Sequence, residues 1–196
     1  MQGRIGEIRL GAYFEDIQAG METMQIRDAA PDDFDAICAL NLAEVQHTSA
    51  MDRARLEELH AFAAYHKVAC MDSTVSAFLL AICDGSPYEN DNYAWFARRF
   101  ERFLYVDRIV VASAARGMRV GSLLYEDLFR HATSRAIPWI TCEYNLVPPN
   151  EPSRRFHDRF GFTEHGTQWL ADGTKRVSLQ AASLGGTGRA STEFKA

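Results

Sequence analysis

From Met24 to Gln180 the hydrophobic positions change period several times, and each change marks an element. "MQIRDA" alternates like a short strand. "APDDFDAICALNLAEV" opens with Pro31 and two aspartates, then sets Phe34, Ile37, Cys38, Leu42 and Val45 along one helix face. Asp52 to Ala64 predicts a second helix, with Leu56, Leu59, Phe62 and Ala63 aligned. "HKVACM" and "TVSAFLLAIC" read as a hairpin turning at Asp72 and Ser73. A loop dense in polar and aromatic residues, "DGSPYENDNYAWFARRFER", leads into the strand "FLYVDRIVV". A helix over Gly117 to about Thr133, the strand "PWITCEYN", a short helix over Pro152 to Phe160 and a last strand "TKRVSLQ" follow. Strands alternating with helices predict an α/β fold, a mixed sheet covered by helices. One domain over 24–182 is expected, with an N-terminal extension over 1–23 and a small, polar tail over 183–196.

Within this pattern "VDRIVVASAARGMRVGSLLYEDLF", Val106 to Phe129, joins a strand to a helix through a cationic, glycine-bearing turn. A polyanion is well held there, because the first helical N–H groups lack internal partners and the helix dipole is positive at that end. Gly117 and Gly121 lack side chains that would block close backbone approach, and Arg116 and Arg119 add charge. Leu123, Leu124, Leu128 and Phe129 give the helix a face to lay against the sheet. A plain structural connection has the same composition, so the turn alone does not decide between the two readings. The turn is neither a Walker A loop nor G-x-G-x-x-G.

Composition narrows the class. At 196 residues, 47% hydrophobic and 24% charged, the chain is large enough for a genuine core. No apolar run reaches the roughly 18 to 20 residues of a membrane helix, and "MQGRIGEIRLGAYFEDIQAG" lacks a secretory apolar segment, so a cytoplasmic protein with no membrane partner is expected. Cys38, Cys70, Cys83 and Cys142 fit no disulfide or zinc spacing, and the histidines His60, His66, His131 and His165 form no ligand pattern, so no metal is expected. The net charge of −5 argues against a nucleic-acid partner. Between Arg108 and Arg159, however, eight arginines face five acids, which suits a small polyanion; Arg130 and Arg135 read as surface solvation.

"IVVASAARGMRVGSLLYEDLF" resembles motif A of the GNAT superfamily of acyl-CoA-dependent N-acetyltransferases, Q/R-x-x-G-x-G/A between a strand and a helix, with Arg116, Gly117, Met118, Arg119, Val120 and Gly121 in the six positions. Arg119 stands where glycine is usual. "NLVPPNEPSRRFHDRFGF" resembles motif B about thirty residues on, with Asn150, Ser153, Phe156, Gly161 and Phe162 in register. The resemblance covers roughly Met24 to Gln180, firmly from Phe103 to Phe162. It implies a mixed, mostly antiparallel central sheet flanked by helices, and acetyl-CoA as co-substrate. It further implies that the backbone amides of Met118 to Ser122 hold the pyrophosphate. The backbone of Ile109, Val110 and Val111 would pair with the pantetheine arm and offer one N–H to the thioester carbonyl. Asn150, Ser153 and Phe156 would complete the cofactor side.

The implied reaction is direct attack of an amine on the thioester, which needs a neutral amine, a donor for the oxyanion and a proton for the leaving sulfur. The family often has tyrosine where this chain has His157; an imidazolium there could protonate sulfur, and the alternative is a partly exposed histidine packing against the cofactor. Asp107, expected on one strand face with Tyr105, Ile109 and Val111, and Glu143, on a face with Thr141 and Asn145, are the candidate bases, since a carboxylate inside an apolar strand calls for a partner. Asp107 paired with Arg108 in a structural salt bridge is the competing reading.

Tyr88, Tyr93, Trp95 and Phe96 of the long loop could wall an acceptor pocket, with Glu89 and Asp91 drawing in a cationic amine and His47 and Thr48 at the rim; the same aromatics could simply cover the sheet or a dimer contact. Tyr105 and Asn145 belong to the same expected pocket. The expected activity is acetylation of a primary amine on a small molecule. A protein or peptide N-terminal acetyltransferase and a non-catalytic acyl-CoA-binding sensor are the alternatives. A homodimer is carried as the commonest oligomer.

Overall fold

The computed structural model describes residues 24–46, 48–170 and 173–185. The expected extension over 1–23, most of the tail over 183–196 and His47 lie outside the described residues. In chain order the elements are β1 (Met24–Asp28), α1 (Phe34–Ala43), α2 (Arg53–Phe62), β2 (Ala63–Met71), β3 (Thr74–Cys83), α3 (Asp91–Ala97), β4 (Leu104–Val111), α4 (Val120–Ser134), β5 (Trp139–Val147), α5 (Glu151–Asp158), β6 (Thr163–Leu170) and β7 (Lys175–Ser183). The strands form one sheet in the order β1-β2-β3-β4-β5-β7-β6. Every neighbouring pair is antiparallel except β4 and β5.

Both sheet faces are covered. Phe34, Ile37, Leu56, Leu59 and Phe96 from α1, α2 and α3 pack on Phe78, Leu80, Tyr105, Val177 and Leu179. On the other face Val120, Leu124, Tyr125, Leu128 and Ala132 of α4 cover Leu79, Ala81, Leu104, Val106 and Ile140. The hairpin turns at Asp72 and Ser73, both at positive φ (46° and 68°), as a two-residue connection following the sheet twist requires.

Several boundaries differ from the sequence expectation. The second helix stops at Phe62 and β2 begins at Ala63, whose backbone is already extended. In α1 the buried positions are Phe34, Ile37 and Asn41, the last held inward by its hydrogen bonds; Leu42 is exposed, and Val45, past the helix end, is exposed as well. The aromatic loop contains the helix α3, capped by the Asn90 side chain, which accepts from the N–H groups of Asn92 (2.9 Å) and Tyr93 (3.1 Å). A seventh strand, β6, sits on the sheet edge and follows no hydrophobic alternation, since none of its residues is fully buried.

Candidate active site

Among the described residues, the only parallel pair in the sheet is also its shortest. β4 and β5 pair at Leu104–Ile140 and Tyr105–Thr141 and nowhere further. Beyond Tyr105 the outer edge of β4 has no strand beside it, while its inner edge stays paired to β3 through Ile109–Leu79, Val110–Phe78 and Val111–Ala77. A cavity of about 340 Å³ opens in the gap, and Asp107, Ile109, Glu143, Asn145, Asn150, Ser153 and His157 are all on its wall.

A β-bulge sets the side chains of β4. Leu80 pairs with Arg108 and Ala81 with Val106, which leaves Asp107 as the extra residue. Strict alternation therefore fails: Tyr105 and Val110 lie in the core on the α1–α3 side, whereas Ile109 and Val111 pack toward α4. Asp107 does not share a face with Ile109 and Val111 as the sequence period suggested. Its carboxylate accepts from the Tyr88 hydroxyl and pairs with Arg108 Nε at 2.6 Å, the two side chains 3% and 5% exposed. Arg108 also donates to Asn41 Oδ1 (2.9 Å) and Ser49 Oγ (3.2 Å), tying the bulge to α1 and the segment after it. With both oxygens engaged, Asp107 has the geometry of the structural ion pair rather than that of a free base.

Glu143 differs. It comes from β5 opposite Leu179, keeps part of its surface open to the cavity, and accepts the Tyr105 hydroxyl at 2.8 Å. Burial pushes its pKa up to about 7, the Tyr105 hydrogen bond opposes that, and the nearby Asp107 charge reinforces it. Near neutral pH this carboxyl can both take and release a proton.

The turn before α4 is tighter than the sequence suggested. The helix begins at Val120, not Gly117, after Gly117 (φ 82°) and Arg119 (φ 62°) have both entered the left-handed region. Glycine occupies that region freely; Arg119 does so at a cost of about 1 kcal/mol, which accounts for glycine being the usual residue there. The Met118 N–H is spent on Ala115 O (3.3 Å), so of the amides expected to bind a pyrophosphate it is already engaged. Those of Val120, Gly121 and Ser122 precede the first intrahelical bond, Leu123 N–H to Arg119 O (3.0 Å), and have no backbone acceptor among the described residues. Gly121 is backed by Val111 and Phe156, 3.4 and 3.5 Å from where a Cβ would stand. Arg116 pairs with Glu44 and Arg119 with Glu126 (3.5 Å), both exposed arginines.

On α5 the Asn150 side chain caps the helix by accepting the Ser153 N–H at 3.1 Å. His157 is 3% exposed, stacked on Tyr144, and held at both nitrogens. Nδ1 is 2.8 Å from Ser153 O, which can only accept, so Nδ1 bears the proton; Nε2 then accepts from the Tyr125 hydroxyl at 2.8 Å. Burial lowers the imidazole to about 4. An imidazolium proton donor does not fit this environment, and neither does a partly exposed histidine: His157 is a buried, neutral acceptor that orients Tyr125. Tyr125, whose hydroxyl is held by His157 at the cavity wall, was hidden in the sequence inside the apolar face of α4.

Most of the expected acceptor-pocket aromatics lie elsewhere. Tyr93 donates to Cys83 O (2.7 Å), and Trp95 sits under Arg99 (3.8 Å) and against Gly166, so both are structural. Tyr88 and Tyr105 act one step back, on Asp107 and Glu143. Glu89 and Asp91 are exposed and away from the cavity wall. Its polar residues are instead Thr48, Ser49, Asn90, Asn92, Asn145 and Lys175. Among the described residues no three His, Cys, Asp or Glu side chains gather as metal ligands, and no helix is long and apolar enough to cross a membrane.

A sheet opened at one parallel pair, with a helix N-terminus near the end of β4 and the Glu143 carboxyl on the cavity wall, is consistent with an acyltransferase. The chain belongs to the acetyltransferase (GNAT) family, whose sequence profile matches residues 26–162. No curated protein matches it in sequence. Solved structures resemble its fold, among them Ard1 from Thermoplasma volcanium (17% identity, TM-score 0.66, covering 82% of this chain and 97% of that one). A ribosomal-protein-alanine N-acetyltransferase from Brucella melitensis is also similar (21%, 0.63, 81% and 99%). So is yncA from Salmonella typhimurium, solved with its cofactor acetyl-CoA (18%, 0.63, 87% and 99%).

Proposed function

We propose that the protein transfers the acetyl group of acetyl-CoA to the primary amine of a small molecule, by direct attack in a ternary complex. The observation that carries this reading is the gap between β4 and β5, with Glu143 at its wall and free helical amides beside it. The chain's groups fit acetyl-CoA: Val120, Gly121 and Ser122 have N–H groups to spare for a pyrophosphate, and the unpaired edge of β4 at Ile109 to Val111 can receive an extended amide-bearing arm. Bound there, acetyl-CoA supplies the acyl group already activated as a thioester.

The residues then divide the work. Glu143 Oε takes a proton from the acceptor's ammonium, freeing the neutral amine that attacks; with a pKa of about 7 the carboxyl is partly ionised near neutrality and able to accept it. A β4 N–H stabilises the developing oxyanion. As the C–N bond forms and the C–S bond breaks, the Tyr125 hydroxyl turns from His157 Nε2 and donates a hydrogen bond to the sulfur. Burial raises Tyr125 well above its ordinary range, so it shares its proton without surrendering it, and water supplies the final proton to the thiolate. Asp107, with Arg108 and Tyr88, holds the bulge in shape. The four cysteines are free thiols, which suits the reducing cytoplasm.

Acetylation of a protein N-terminus is the second reading, favoured by the likeness to the ribosomal-protein-alanine enzyme. Release of CoA with free amines but not with peptides supports the small-molecule assignment; the reverse pattern overturns it. Tight acetyl-CoA binding with no turnover against either panel would make the protein a sensor.

A further inference from the structure

The part of the cavity facing α1–α3 contains two groups that the acyl-transfer scheme leaves unused. Lys175 opens β7 and lies on the cavity wall. Its ammonium has no ion-pair or hydrogen-bond partner among the described residues. The other cation on the wall, Arg108, is consumed by Asp107, Asn41 and Ser49. Asn145 is 5% exposed, faces the same cavity, and its side-chain amide likewise has no hydrogen-bond partner among the described residues. Register places these groups with the base: Glu143 pairs with Leu179 and Asn145 with Val177, on the β7 face that alternation continues to Lys175. Lys175 is also close enough for its charge to oppose the rise of the Glu143 pKa.

A half-buried cation and an amide that both line the cavity, with no protein partner among the described residues, are free to pair with a ligand that enters it. The neighbouring base fixes where the reacting amine must sit. The remaining chemistry is an anion a few bonds away. A diamine or polyamine would bring a second positive charge toward Lys175. We propose that the acceptor is a small amino acid or a similar amine bearing a carboxylate, with the carboxylate held by Lys175 and Asn145 and the amine presented to Glu143. This rests on the acetyl-transfer reading above and names the substrate class of that same site.

The test measures CoA release from acetyl-CoA with free amino acids, their methyl esters and aliphatic diamines, on the full chain and on Lys175→Met and Lys175→Arg. Free amino acids are expected to exceed their esters by about 100-fold in kcat/KM, since a site built to pair a charged group rejects analogues lacking it. Lys175→Met should lose about 10- to 100-fold on amino acids, mainly through KM, and much less on esters, while Lys175→Arg keeps the preference. Esters or diamines matching the amino acids, or a Lys175→Met loss equal for all acceptors, would overturn the assignment while leaving acetyl transfer intact. Calorimetry of acetyl-CoA on the same protein separates the two levels: no binding and no release with any amine would remove both.

Discussion

Glu143 and Tyr125 mark the two ends of the proposed proton path, and their environments could not be more different. Glu143 keeps an open surface toward the cavity and a pKa of about 7. Tyr125 is fully enclosed, its hydroxyl committed to His157. Because the proposed mechanism uses the deprotonated carboxylate, kcat/KM should rise with pH until about 7 and then level off. Glu143→Gln should remove that limb and lower the rate about 10²- to 10⁴-fold. The same limb in the variant would assign the ionisation elsewhere. Tyr125→Phe should lower kcat about 10- to 100-fold with acetyl-CoA affinity little changed in calorimetry, the pattern of a donor that acts as charge develops on sulfur; an unaltered kcat would leave the tyrosine with packing alone. Of these residues the sequence exposed Glu143, since an acid within an apolar strand stands out. Tyr125 was concealed because one hydroxyl on an amphipathic helix looks like core, and His157 drew attention at a position where burial makes it an acceptor.

At the level of elements, what could be read in advance followed hydrophobic period closely. The hairpin, β4, α4 and β5 all lie where their apolar runs placed them, give or take a few residues. The bulge at Asp107 was invisible, because an extra residue changes which side chains share a face without changing the sequence pattern that suggests a strand. β6 was missed for the complementary reason: an edge strand with exposed positions has little burial to record, and its "TEHGTQWL" lacks alternation. Its one tight constraint is Gly166, where a Cβ would stand 2.6 Å from the Trp95 ring. Gly166→Ala should therefore force the β6–α3 packing apart and destabilise the fold by about 1 to 3 kcal/mol, read as a lowered midpoint in denaturant unfolding. Equal stability would show that the indole can yield, and that Trp95 is less firmly seated than its packing against Phe96 and Arg99 indicates.

Over the whole molecule, the sheet is the device that makes a site. Its antiparallel strands lie on both flanks, and its single parallel pair parts after two rows, between a core on each face. Helix α4 presents its free amides from one side, and β5 and β7 present Glu143, Asn145 and Lys175 from the other. The most direct test of this division is calorimetric titration of acetyl-CoA into the native protein and Ser122→Glu. A glutamate in the first turn of α4 favours the helix dipole and so spares the fold, yet it sets a negative charge where the pyrophosphate should lie. Native binding, a loss of about 100-fold or more in the variant and an unchanged melting temperature are predicted; equal affinity in the two proteins, or none in the native one, would contradict the account.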